Sequence, residues 1–257
     1  MIKEIEKPNY SILAEIYDRV MHDVNYVAWT DYIDEIILEH HPYAEDILEL
    51  ACGTGTMALS MEEFGTYNIT ATDGSAEMIK KAQEKAKQIG SDVKFKTVNF
   101  LDINLDQTFD VVYMVFDSLN YLHSKDDIIQ LHDQVKKVLN PDGIFIYDFT
   151  TPRNSMKAIR YLNNEESIID NQYRYHRKSL YDEKNQIHTN RFEIEQFEGN
   201  EKNVLDRFTE EHQQKIYSFE EMRPMIKETD FSILKAYDGF ELKPAHTRSL
   251  RITMVLQ

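Results

Sequence analysis

Apolar residues recur at helical spacing from residue 10 to 21, where Ile12, Leu13, Ile16, Tyr17 and Val20 share one face. A second helical pattern covers 26–39, with Trp29, Tyr32, Ile33, Ile36 and Ile37 on one side, and Pro42 stops it. The pattern then alternates. Short apolar runs predict strands at 46–50, 68–72, 93–98, 110–115 and 143–149, and helical stripes between them predict helices at 56–63, 75–89 and 124–139. The helix after Thr72 is the best defined: Ser75 is its N-cap, Ile79, Ala82, Ala86 and Ile89 form the stripe, and Gly90 ends it. Such alternation implies right-handed βαβ units and a parallel sheet with helices on both faces.

Beyond Phe149 the texture changes. Segments 173–181, 187–196 and 203–217 are rich in aromatic and β-branched residues with partial period-two alternation, separated by the turn compositions Asp182-Glu183-Lys184-Asn185 and Glu198-Gly199-Asn200. These predict antiparallel strands, either a structural meander or a cap over the open end of the parallel sheet. Ser218 with Glu221 forms a capping box that opens a helix, and strands near 232–240 and 250–256 close the chain. The expected division is a core of residues 1–162 and 218–257 with an inserted antiparallel β cap at 163–217.

At 257 residues the chain can bury one good core, so a single domain with an insertion is favoured over two equal domains. No apolar run is long enough to span a bilayer and the first eight residues lack the apolar segment of a leader, so a cytoplasmic protein is expected. The lone cysteine, Cys52, excludes an internal disulfide and a multi-cysteine zinc site, and no metal is expected. Acidic side chains outnumber basic ones by 45 to 29, a formal charge of −16. That balance disfavours nucleic acid and welcomes a cationic ligand.

In open α/β sheets ligands lie beyond the carboxyl ends of the strands, which directs attention to the strand ends. The first runs Asp46-Ile47-Leu48-Glu49-Leu50-Ala51-Cys52-Gly53-Thr54-Gly55, an apolar strand entering a glycine turn and then a helix. Gly53 and Gly55 let the main chain turn sharply and approach a nucleotide-like ligand. With Ala58 in third place the spacing also suits a dinucleotide site. Asp73 ends the second strand, placed to accept both hydroxyls of a ribose. Asn99 and Phe100 end the third, offering an amide acceptor and an apolar wall. Phe116-Asp117-Ser118-Leu119-Asn120-Tyr121 follows the fourth and gathers a carboxylate, an amide and a phenol, a mixture suited to a reacting centre. Asp148-Phe149-Thr150 ends the last.

The glycine-loop motif, the segment Ala71-Thr72-Asp73-Gly74-Ser75-Ala76-Glu77-Met78 and the strand Phe109-Asp110-Val111-Val112 together resemble the class I S-adenosylmethionine-dependent methyltransferases. More narrowly, Ile16-Tyr17-Asp18-Arg19-Val20-Met21, Tyr26, Trp29, the Phe116–Tyr121 cluster and His212-Gln213-Gln214-Lys215-Ile216-Tyr217 resemble a bacterial small-molecule methyltransferase group with an antiparallel insertion. The resemblance implies a Rossmann-like seven-stranded sheet and S-adenosylmethionine as cofactor. It places Ala51, Gly53 and Gly55 along the methionine and ribose, Asp73 on the ribose diol, and Met78 and Phe100 against the adenine. Phe116 would back the methionine portion, with Tyr17 and Trp29 closing over it. Asn99 stands where the family usually has Asp, keeping an acceptor but losing charge, and Thr56 replaces a common third glycine.

The expected activity is methyl transfer to a nitrogen or oxygen of a small-molecule acceptor, by a monomer or homodimer. Asp117, Tyr121 and His212 are expected near the acceptor, with His212 the favoured base because imidazole titrates near neutrality. The alternatives are a non-catalytic cofactor-binding regulator or scaffold and a nicotinamide-dependent oxidoreductase. Calorimetry separates these readings by ligand.

Overall fold

The computed structural model describes residues 4–199 and 203–257, so the turn expected at 198–200 runs at Asn200 outside the described residues. In chain order the elements are β1 (Glu4–Glu6), α1 (Leu13–Val20), α2 (Tyr26–His40), β2 (Asp46–Leu50), α3 (Thr56–Glu62), β3 (Asn68–Asp73), α4 (Ala76–Ile89), β4 (Lys94–Thr97) and β5 (Phe109–Met114). A 3-10 turn at Ser118–Tyr121 leads to α5 (Lys125–Val138), β6 (Leu139–Thr150), α6 (Pro152–Leu162), β7 (Glu165–Ile169), β8 (Tyr173–Asp182), β9 (Ile187–Phe197) and β10 (Val204–Lys215). The chain closes with α7 (Phe219–Ile226), β11 (Ile233–Asp238), β12 (Glu241–Pro244) and β13 (Arg251–Leu256).

The main sheet has the order β12-β11-β13-β6-β5-β2-β3-β4, with β4, β3, β2, β5 and β6 parallel and β13, β11 and β12 antiparallel. Seven of these strands correspond to the expected α/β sheet. The eighth is the short edge strand β12, returning from β11 just after Gly239, whose positive φ makes the turn. Side chains alternate between two apolar layers. On β5, Val111 and Tyr113 enter the layer under α2, α3 and α4, while Val112 and Met114 enter the layer under α5 and α7. Because both faces are covered, the parallel strands read as nearly continuous apolar runs.

The second sheet has the order β1-β10-β9-β8-β7. Its long antiparallel strands follow the expected alternation, and two strands were not foreseen. β7 is largely exposed and carries little pattern, and β1 is three residues long, joining β10 in parallel with Glu4 opposite Arg207. The inserted segment is therefore completed by the N-terminus. Helix α6 was also missed; Pro152 at its first turn suits a helix start. Helix α1 begins at Leu13, later than its apolar pattern, because Tyr10 has φ 59° and breaks the helix.

Candidate active site

The loop after β2 passes through left-handed φ at Ala51 (54°), Gly53 (55°) and Gly55 (79°). Gly53 donates its amide to Asp73 Oδ2 at 2.9 Å, and Ser75 donates to Asp73 Oδ1 at 2.8 Å, so one carboxylate links the first two strand ends. Burial raises Asp73 above the usual carboxylate range, and these two amides hold it back. A Cβ at Gly55 would lie 2.6 Å from the Phe95 ring and 2.9 Å from Ala82 Cβ. Gly55 is thus required by packing beneath the loop. Gly53 is the glycine on the ligand side.

A cavity of about 290 Å³ lies over these strand ends, at the small end of the usual ligand-pocket range. Ala51, Gly53, Asp73, Met78, Phe100, Phe116 and Tyr17 line it, as expected from sequence. Trp29, Gly55 and Asn99 do not. Asn99 Oδ1 is turned back onto the amide of Leu101 at 2.9 Å, and Trp29 packs edge-on against Phe240 and across Phe116, with centroids 4.3 and 4.5 Å away. Cys52 lines the cavity too, but burial, then Glu49 and Asp73, push its thiol well above its ordinary range, which makes a poor nucleophile.

From sequence, Glu49 is the acid four positions before Gly53 that counts against a nicotinamide site, with no ligand assigned to it. It is 2% exposed, lines the cavity and accepts from the Tyr113 hydroxyl at 2.9 Å. Burial pushes its carboxyl up to about 8 against that hydrogen bond. The only sequence signal was an acid inside a buried strand. Tyr10 was also missed as a cavity residue, whereas Tyr26, a candidate ligand contact from its aromatic ring and polar tip, does line it.

A larger cavity of about 690 Å³ adjoins the first, and Tyr10, Tyr17, Phe116 and Tyr121 belong to both. Asp117, His212 and Trp29 line the larger one. Phe116 and Asp117 have φ of 60° and 50°, consecutive left-handed residues at the junction, each costing about 1–3 kcal/mol that the surroundings must hold. Asp117 Oδ1 accepts from Arg251 at 2.6 Å and Oδ2 from Gln214 at 2.6 Å; the same guanidinium also pairs with the fully buried Asp148. Asp117 is therefore clamped, and Arg251, far off in sequence, does the clamping.

Tyr121 and His212 meet, Oη to Nδ1 at 3.0 Å, and the Tyr10 hydroxyl adds a contact of 2.5 Å to Tyr121. Beyond the imidazole lies Glu210, wholly buried, whose Oε2 is 3.4 Å from His212 Nε2, a contact short of a full hydrogen bond. Glu210 also accepts the amides of Tyr10, Ile12 and Leu13 at 2.6–2.9 Å. Burial opposes its charge, but His212 and the amides of Leu13 and Ile12 hold its carboxyl below the usual range. Among the described residues no group of three or more potential ligands is set to hold a metal, and no helix is long and apolar enough to cross a membrane.

Residues 47–143 match a family model described as a methyltransferase domain. YqeM of Bacillus subtilis (strain 168), whose name assigns it to the methyltransferases, is 31% identical over 232 residues, 90% of each chain. A solved S-adenosylmethionine-dependent methyltransferase from Clostridium acetobutylicum ATCC 824 superposes with a TM-score of 0.79 at 26% identity, covering 96% of this chain and 98% of that one. The S-adenosylmethionine-bound amino pentose methyltransferase CalS10 of Micromonospora echinaspora shares the fold at 13% identity, with a TM-score of 0.68 over 94% and 95% of the two chains. These matches overturn the dinucleotide reading. The smaller cavity suits S-adenosylmethionine: Asp73 offers a carboxylate for a diol, Glu49 a second acidic group, and Phe100, Met78, Tyr17 and Phe116 apolar walls. The chain belongs to the class I S-adenosylmethionine-dependent methyltransferases.

Proposed function

We propose that this methyltransferase acts on a nitrogen or oxygen of a small molecule held in the larger cavity, and that residues 163–217 form a cap that sets acceptor specificity. The observation that carries the reading is the junction: four residues are shared by the cavity of about 290 Å³ and the cavity of about 690 Å³, so donor and acceptor can meet at Tyr121 and Phe116. S-adenosylmethionine supplies a methyl group on a positively charged sulfur. Alignment and exclusion of water are then the protein's main tasks.

Tyr17 and Phe116 wall the junction with aromatic surface. Tyr121 touches it and hands a proton to His212 Nδ1, 3.0 Å away. Glu210, 3.4 Å from Nε2, stands behind the ring and serves as a positioning residue. The name of the glycine/sarcosine N-methyltransferase of Halorhodospira halochloris, 30% identical over 107 residues, supports nitrogen among the acceptor atoms.

Calorimetry with S-adenosylmethionine, S-adenosylhomocysteine and NADH, followed by an acceptor screen with labelled methyl groups, tests the proposal. Binding of the first two and label transfer to a small molecule are expected. Label found only on protein or nucleic acid would refute it.

A further inference from the structure

The inner face of the second sheet changes character along its strands. Beside α1 it is apolar, with Tyr175, Phe192 and Ile194 packed on Leu13, Ile16 and Val20. Further along the same face, over the larger cavity, β9 presents Asn190 and His188, paired across the ladder with His212 and Gln214 of β10. Alternate residues of a strand share a face, so the change occurs within one face. A cap that merely covered a core would stay apolar, because a buried polar atom without a partner costs about 1–3 kcal/mol. Here Asn190 Oδ1 and, on α6 lining the same cavity, Ser155 Oγ are buried without a protein partner.

Charge narrows the ligand. Among the described residues lining this cavity, Asp23, Asp117 and Glu165 outnumber Arg177 and Arg251 by one. Arg251 is paired with Asp117 and Asp148, and Arg177 faces Glu165 at 3.2 Å through one terminal nitrogen while its Nε is buried without a partner. Burial lowers His188 below its ordinary value, so it is uncharged near neutrality. An anionic acceptor would meet a net negative lining with its cations already paired. Trp29, Phe116 and Phe240 supply an aromatic wall on which a carbon skeleton can lie.

We propose that the polar half of this face is the acceptor-recognition surface and that it takes a small hydroxylated amine, with hydroxyls on Asn190 and Ser155 and carbons on the aromatic wall. This rests on the methyl-transfer reading of the paired cavities. The ammonium gives its proton to His212 through Tyr121; the freed nitrogen lone pair forms the bond to the methyl carbon as the carbon–sulfur pair stays with sulfur, leaving a neutral thioether.

The test titrates glucamine, sorbitol and gluconate into protein saturated with S-adenosylhomocysteine. These chains have equal length and end in an amine, a hydroxyl and a carboxylate. Glucamine should bind at least about tenfold more tightly than gluconate. Asn190→Ala and Ser155→Ala should each weaken it about fivefold, with S-adenosylhomocysteine affinity held within about twofold. Gluconate binding as well as glucamine, no glucamine binding at millimolar concentration, or unchanged affinity in both variants would overturn the proposal. Failure of S-adenosylhomocysteine itself to bind would instead refute the methyl-transfer reading, and this proposal with it.

Discussion

Replacing Glu49 by Gln should stabilise the ligand-free protein by an amount that grows with pH. The carboxyl is buried at the end of β2, and burial lifts it from an ordinary 4.5 to about 8. A raised carboxyl binds its proton more tightly folded than unfolded, so its contribution is fully favourable below 4.5 and is lost as pH climbs through 8. Each whole step between the two values is worth about 1.36 kcal/mol. The wild type therefore forgoes about 1 kcal/mol at pH 5, about 3 at pH 7 and about 4 at pH 8 relative to a side chain that never ionises. Gln keeps an oxygen for the Tyr113 hydroxyl, and any loss of a second accepted bond shifts the comparison by a constant. The readout is thus the slope: thermal unfolding of both proteins from pH 5 to 8 should show the gap in Tm widening, at roughly 2–4 °C per kcal/mol for a chain of this size. A gap that stays constant across that range would refute the assignment of a raised carboxyl to Glu49.

Gly55→Ala places a methyl group against Phe95 and Ala82 at a φ of 79°, and should cost about 2–5 kcal/mol in denaturant unfolding; a loss under 1 kcal/mol would mean the loop can shift. Glu210→Ala removes the acceptors of the Tyr10, Ile12 and Leu13 amides, with an expected loss of about 2–4 kcal/mol and weaker S-adenosylmethionine binding, because Tyr10 lines the smaller cavity. Unchanged cofactor affinity in a folded variant would count against that link. Once an acceptor is in hand, His212→Ala should lower kcat about 10²-fold and remove the acidic limb of its pH profile, with KM for the cofactor little changed. An unaltered profile would remove His212 from the proton path.

What could be read from sequence was local. The glycine loop, Asp73 and the Phe116–Tyr121 cluster each sit at the end of a strand that its own residues specify, and all three ends share one edge of the sheet once the strands are parallel. Trp29 was misplaced because a helical face shows which residues are buried without showing against what; its ring went to Phe116 and Phe240. Asn99 failed for the opposite reason, a local turn bond to Leu101 taking the oxygen. The residues that went unseen work across long stretches of chain. Glu210 reaches Tyr10 and Leu13 some 200 positions away, and Arg251 reaches Asp117 over 134. No spacing rule carries such pairs, since closure of those loops is decided by the tertiary fold.

The bonds from Glu210 to the backbone of Tyr10, Ile12 and Leu13, with β1 laid along β10, have a consequence for how such enzymes diversify. The strip of chain that lines the smaller cavity at Tyr10 is stitched to the sheet that lines the larger one. A new sheet grafted onto this core would arrive with no seat for residues 4–13, and would leave the smaller cavity open at Tyr10 even if its own floor were perfectly shaped. Variation in the two must therefore be joint: the segment around Tyr10 and the sheet that carries Glu210, 200 positions apart, form one heritable part.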